Sequence, residues 1–231
     1  MLVAIHQLHY LPWLRYFEKI ARSDVFVVLD DAQFTKNDWQ NRNKIKTAGG
    51  VAVLTLPVRH RFGQPLNAVR LDNRQPWRKK HARTLAQAYA AAPHYAALGA
   101  WLDRVYAQPW ETMHALNRHL LEGFLARLGI DTPVRYASEL GVPGQATERL
   151  VGLVQAVGGT AYYTGAYATQ VYLDPAPFAA AGIALRLQRW RAPDYPQLHG
   201  GFVPDLSIVD LMAHCGAASR AMLLAAGDDS A

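Results

Sequence analysis

The chain opens on a short apolar run, Val3 to Ile5, closed by the polar group His6-Gln7-Leu8-His9. A run of this kind, partly β-branched, suits a short buried strand. Beyond Pro12, which is tolerated in a helix's first turn, Leu14, Phe17, Ile20 and Ala21 recur at helical spacing. That pattern predicts a helix with one face packed inward. Ser23-Asp24 interrupts it, and Val25 to Leu29 is continuously apolar, as expected of a strand buried on both faces. Strand, helix and strand this close form a βαβ unit, and a right-handed crossover sets the strands parallel. Ligands of such sheets sit beyond the carboxyl ends of the strands. The first site candidates are therefore His6, Gln7 and His9 after one strand, and Asp30, Asp31 and Gln33 after the next.

The rest of the pattern continues the alternation. Val51 to Val58 predicts a third strand, Val69 to Asp72 a short fourth, and residues 33–46 an irregular polar segment between β elements. Three helices follow, opening at Trp77, Tyr95 and Thr112; Met113, Leu116, Leu120, Leu121, Phe124 and Leu128 form the clearest apolar stripe, stopped by Gly129. Val134 to Ala137 returns to the sheet, and Thr147 to Val157 is helical. Ala161 to Gly165 is a short strand, Tyr172-Leu173-Asp174 leads into a short helix around Pro177 to Ala181, and Ile183 to Trp190 is the last strand. A final helix begins at Asp205-Leu206-Ser207, and the tail from Gly227 is expected to fray. Strands alternating with helices predict one α/β domain over residues 1–231, a mostly parallel sheet flanked by helices, with a helical central subdomain at about 77–129.

Composition changes this picture little. A hydrophobic share of 51% with 18% charged residues is that of an ordinary globular protein. One cysteine, Cys215, excludes an internal disulfide framework. No uninterrupted apolar run approaches about 18 residues, so a cytoplasmic protein with no membrane span is expected. Charge changes it more. Between Lys36 and Arg83, twelve Lys and Arg face two Asp, a local +10, so the remainder carries −4 of the net +6. Either this is a solvated basic face or it meets an anionic partner: a nucleotide, or a phosphopantetheine-linked donor on a carrier protein. Nucleic acid is not expected, because no binding motif or stacking platform is present.

The candidate chemistry clusters early. Asn41, Arg42 and Asn43 together offer amide donors, amide acceptors and a planar guanidinium that can grip a carboxylate or phosphate. Trp39 would cover an apolar part of the ligand, and Lys36 and Lys46 would join Arg42 on a donor's phosphates. Tyr10 and Trp13, in the loop after the first strand, are further substrate contacts. His6 is the candidate general base, with Asp30 or Asp31 orienting it. Adjacent residues of an extended chain point opposite ways, so the two aspartates do not make a two-carboxylate metal centre. Tyr163, Gly165, Tyr195, Gln197 and Ser207 lie at turns and loops after later strands and are expected to close the same cleft from its far side.

Six segments together resemble the WbqC-like protein family: HQLHYLPWLRYFEKI, DVFVVLDDAQFTKNDWQNRNKIK, the LTLPV strand with its basic loop, WRKKHARTL, YYTG with YLD, and YPQLHGGFVPDLSIVDL. They span nearly the whole chain in order. Two positions depart from the family pattern, Leu8 where Pro is common and Arg15 where Gly is common. The resemblance implies a cytoplasmic enzyme of surface-glycan (O-antigen) or natural-product biosynthesis, a transferase moving an acyl or aminoacyl group onto an amine. The spacing of His6 and His9 also resembles the His-x-Gly-His of nucleotidyltransferases and class I synthetases, with Leu8 in place of the glycine. That implies an ATP-using adenylyltransferase or ligase as the alternative. A non-catalytic protein that binds a carrier-held intermediate is the third reading.

Overall fold

A computed structural model describes residues 1–166 and 173–227. Five strands form a parallel sheet: β1 (Leu2–Gln7), β2 (Val25–Leu29), β7 (Val134–Tyr136), β8 (Ala161–Gly165) and β9 (Ala184–Gln188). Their spatial order is β7-β2-β1-β8-β9. The βαβ unit is present, with helix α1 (Leu14–Arg22) crossing between β1 and β2, which pair in parallel from Val3↔Val25 to Gln7↔Leu29. After β2 the chain builds outward to β7 and then returns to β8 on the other side of β1. The strand order thus reverses between β1 and β8, a switch point whose crevice is the expected ligand position in an open α/β sheet.

The alternation along β1 explains the two sides of the core. Val3 and Ile5 join Val27, Tyr162 and Phe178 on one face, while Ala4 joins Phe17, Phe26 and Tyr163 on the other. The first face is covered by the short α5 (Ala137–Leu140), α6 (Ala146–Ala156) and α7 (Ala176–Ala180). On the second lie α1 and the central helices α2 (Trp77–Tyr89), α3 (Tyr95–Ala107) and α4 (Met113–Leu128). The apolar stripe of α4 is buried, and Phe124 meets Phe17 of α1 edge-on, so these helices share the core of the sheet. Thr112 caps α4 by accepting from the Ala115 N–H, and Gly129 ends it in the left-handed region.

The segment expected to be irregular differs in part. Residues Arg42–Thr47 form strand β3, paired antiparallel with β4 (Gly50–Thr55) from Arg42↔Thr55 to Thr47↔Gly50. Its alternation was hidden because buried positions are filled by Asn43 and Lys46 beside Ile45, and their polar atoms are met by protein partners. A second ribbon pairs β5 (Val58–Arg59) with β6 (Arg70–Leu71). Near the C-terminus, α8 (Ile208–Cys215) and α9 (Ser219–Ala225) flank a short 3-10 turn. The stretch Ile208–Ala225 is long and apolar enough to cross a membrane by length and composition. Gly216 breaks it, and the α8 half is buried in the core. Tyr172 and the tail beyond Gly227 lie outside the described residues.

Candidate functional site

The reversal between β1 and β8 opens into a cavity of about 430 Å³, lined by Ile5, His6, Trp13, Arg15, Tyr16, Lys19, Trp39, Tyr162, Thr164, Gly165 and Gln188. Four elements supply its polar groups: the end of β1, the first turns of α1, and the ends of β8 and β9. The loop between β1 and α1 carries a strained position, Leu11 at φ 44°. It is held by Asn43, whose Nδ2 donates to the carbonyls of Tyr10 (3.3 Å) and Leu11 (2.8 Å), while the Tyr10 N–H donates to the Trp39 carbonyl.

His6 sits edge-on to His9 (4.7 Å between ring centres) and Tyr16 (5.1 Å). Its Nδ1 lies 3.3 Å from the Gln7 carbonyl, which only accepts, so Nδ1 carries the proton and Nε2 keeps its lone pair. Burial pushes the His6 pKa well below the ordinary histidine value, and the neighbouring His9 and Lys19 push it the same way. His6 is therefore a neutral imidazole with a free basic nitrogen. His9 is buried, its Nδ1 has no hydrogen-bond partner among the described residues, and burial lowers its pKa to about 3.

Two cations face the cavity from one side of α1, since positions four apart lie on one helix face. Lys19 is only 7% exposed, and burial brings its pKa down to about 8 although the adjacent Glu18 opposes this. Glu18 itself is committed elsewhere. It accepts from Tyr163 Oη (3.0 Å), Arg22 Nε (2.5 Å) and Gln188 Nε2, tying α1 to β8 and β9. Among the described residues neither Lys19 Nζ nor the Arg15 guanidinium has a hydrogen-bond or ion-pair partner; Arg15 lies over the Trp13 ring at 5.4 Å. The first turn of α1 has no side-chain cap and no acidic residue, so its amide N–H groups add positive potential at the same end. Trp39 stands against Trp13 edge-on at 5.3 Å and is backed by Lys44 and Arg42 over its ring.

Of the residues singled out in the sequence, His6, Trp13, Trp39 and Gly165 line this cavity. His9 packs against His6, Trp13 and Tyr16 without lining it, Arg42 lies over Trp39, and the others lie elsewhere, each for a visible reason. Asp30 accepts from the N–H and Oγ of Ser138 and pairs with His114 at 3.2 Å. Those donors hold its carboxyl below the usual range against the opposing cost of burial. Asp31 pairs with Arg149 at 2.5 Å. Neither aspartate is bonded to His6, so the expected orienting contact is absent from the structure; the Gln7 carbonyl takes that place. Gln7 Oε1 accepts from Gln40 Nε2. Gln33 and Lys36 are exposed on the surface. Asn41 donates to the Leu56 carbonyl, and Lys46 is buried with its ammonium donating to the carbonyls of Gly200 and Gly201 and to Gln197. A phosphate cannot reach it there. Tyr10 bonds His81 and Tyr106 in the core, Tyr195 bonds Asp210, and Ser207 caps α8. Arg15, Tyr16, Lys19, Thr164 and Gln188 were not anticipated. The i, i+4 spacing of Arg15 and Lys19 was the available signal, on the face of α1 opposite its apolar positions.

Cys215 is half-buried, and burial followed by the charge of Asp210 raises its pKa, which disfavours the thiolate. Among the described residues no three His, Cys, Asp or Glu side chains converge as a metal-binding group.

A model of the WbqC-like protein family matches residues 7–222. The chain is also 39% identical over 219 residues to the uncharacterized protein Rv1507c of Mycobacterium tuberculosis, covering 93% of this chain and 94% of that one.

Proposed function

Because the chain belongs to the WbqC-like protein family, and because a neutral His6 shares its cavity with two unpaired cations, we propose that it transfers an acyl or aminoacyl group from a phosphate-bearing activated donor to an amine. The observation that carries this reading is the lone Lys19 ammonium beside the free Nε2 of His6. An acyl transfer needs both a base for the incoming amine and a counter-charge for the donor. Lys19, Arg15 and the α1 N-terminus would hold the donor's phosphate, and Trp13 with Trp39 would cover an apolar or planar part of it. The amine attacks the acyl carbonyl, His6 Nε2 takes its proton, and the donor's leaving group departs on the cationic side. Arg15, where the family commonly has glycine, gives this chain a second cation that many relatives would lack. Lys36, Arg42 and Lys46, expected from the sequence to hold the phosphates, do not line this cavity.

Incubating the protein with acyl-coenzyme A thioesters or aminoacyl adenylates and a panel of amino sugars tests this. His6→Asn should abolish product while leaving donor affinity within a few fold. Equal turnover by His6→Asn would remove His6 as the base. A second reading, adenylyl transfer from ATP, is supported by the position of His6 at the carboxyl end of β1 and of His9 in the loop that follows, beside the switch point. It predicts ATP–pyrophosphate exchange dependent on Lys19. Donor binding without either reaction would favour a protein that only holds an intermediate.

A further inference from the structure

At the same end of the sheet, outside the cavity, stands the loop between β5 and β6. The Asn67 N–H donates to the Asp30 carbonyl and the Leu66 N–H to that of Ala32, which fixes this ribbon to the segment leaving the carboxyl end of β2. The tip is built firmly. Gln64 Oε1 accepts from the Arg61 N–H, its Nε2 donates to the Ala68 carbonyl, and Phe34 closes edge-on over His60 at 4.9 Å. Yet the residue this frame displays is Phe62, 97% exposed. Around it the charges are like and adjacent. Arg59 lies directly opposite Arg70 across the ribbon, and Arg61 follows two residues on. Like charges directly opposite on paired strands destabilise. Only Arg70 has a partner, Glu111 at 2.7 Å; Arg59 and Arg61 have none among the described residues. The arginines and Phe62 border an open hollow of about 630 Å³.

A phenyl ring held clear of the protein, with three arginines lining the same hollow, matches an anionic phospholipid surface. The ring enters the acyl boundary while the arginines meet headgroup phosphates, one of them seated in the hollow. An acidic protein would instead need a pocket of its own for Phe62, whereas a bilayer receives a fully exposed ring without one. We infer that this loop docks the protein reversibly on an anionic membrane, with the carboxyl end of the sheet facing the bilayer.

The test is co-sedimentation of the full chain with vesicles of phosphatidylcholine alone, or of equal parts phosphatidylcholine and phosphatidylglycerol, at low and moderate salt. The wild type should sediment with the anionic vesicles only. Arg59→Glu with Arg61→Glu should lower the partition by more than about tenfold, and Phe62→Ser by about tenfold. Lys79→Glu with Arg83→Glu, the same change of net charge on an exposed face of α2, should change it little. Circular dichroism would confirm that all variants fold. No sedimentation of the wild type with anionic vesicles at low salt would overturn the proposal and leave the patch to an acidic protein. So would equal loss in the α2 control, unchanged partition of Phe62→Ser, or release by glycerol phosphate beyond that caused by chloride of matched ionic strength. None of these outcomes depends on the reaction proposed for the cavity.

Discussion

Lys19 shows how burial turns an ordinary surface residue into a chemical one. On the outer side of an amphipathic helix a lysine usually sits in water, and the sequence offers no sign that β8 and β9 will cover this one. With its pKa brought to about 8, the ammonium is present at neutral pH and is lost as pH rises through about 8. Affinity for an anionic donor should therefore fall across that interval in the wild type, and Lys19→Met should be weak and flat with pH; calorimetric titration at several pH values checks this. His9 makes the opposite kind of statement. Its folded pKa of about 3 lies below the roughly 6.5 of an unfolded histidine, so between these values the unfolded chain binds the extra proton. Stability should decline as pH falls from about 6.5 toward 3 and level off below that. Thermal unfolding of the wild type and His9→Gln should show a shallower decline in the variant.

At the scale of elements, the apolar periods made β1, α1, β2 and α4 legible, and with them the position of His6 at a strand end. What stayed hidden were polar residues used as internal fasteners. Asn41, Asn43 and Lys46 carry the same groups that would bind a ligand, and only the carbonyls facing them decide otherwise. Asn43→Ala should cost about 1–3 kcal/mol by denaturant unfolding, because two loop carbonyls lose their donor. It should also weaken donor binding by loosening the Leu8–Trp13 loop. Glu18 is the matching fastener between α1 and the far half of the sheet. Glu18→Ala would leave Arg22 without its buried carboxylate and should cost about 3–5 kcal/mol, a loss readable in the midpoint of the same denaturant curve.

For the whole molecule, the alternation of strands and helices was enough to read a parallel α/β fold, and the carboxyl-end rule pointed to the correct edge of the sheet for the cavity. The strand order was beyond reach, since nothing local says that β8 returns beside β1 after the three central helices. That return substitutes Thr164, Gly165 and Gln188 for Asp30 and Asp31 as neighbours of His6. The basic stretch also divides once folded: Lys46 is spent inside, Arg42 and Lys44 back Trp39, and Arg59, Arg61 and Arg70 stand apart on their ribbon. Charge counted along the chain therefore overstated any single anionic site.

The central claim is that an anionic donor binds between His6 and the Arg15–Lys19 face of α1. Titration calorimetry with acetyl-coenzyme A and with ATP, at neutral pH and low salt, addresses it directly for the wild type, Lys19→Met and Lys46→Met. At least one compound should bind the wild type, and Lys19→Met should lose more than about tenfold in affinity, the worth of one charge-assisted contact. Lys46→Met, once shown to be folded, should bind as the wild type does. Full affinity in Lys19→Met, or a loss confined to Lys46→Met, would contradict the account.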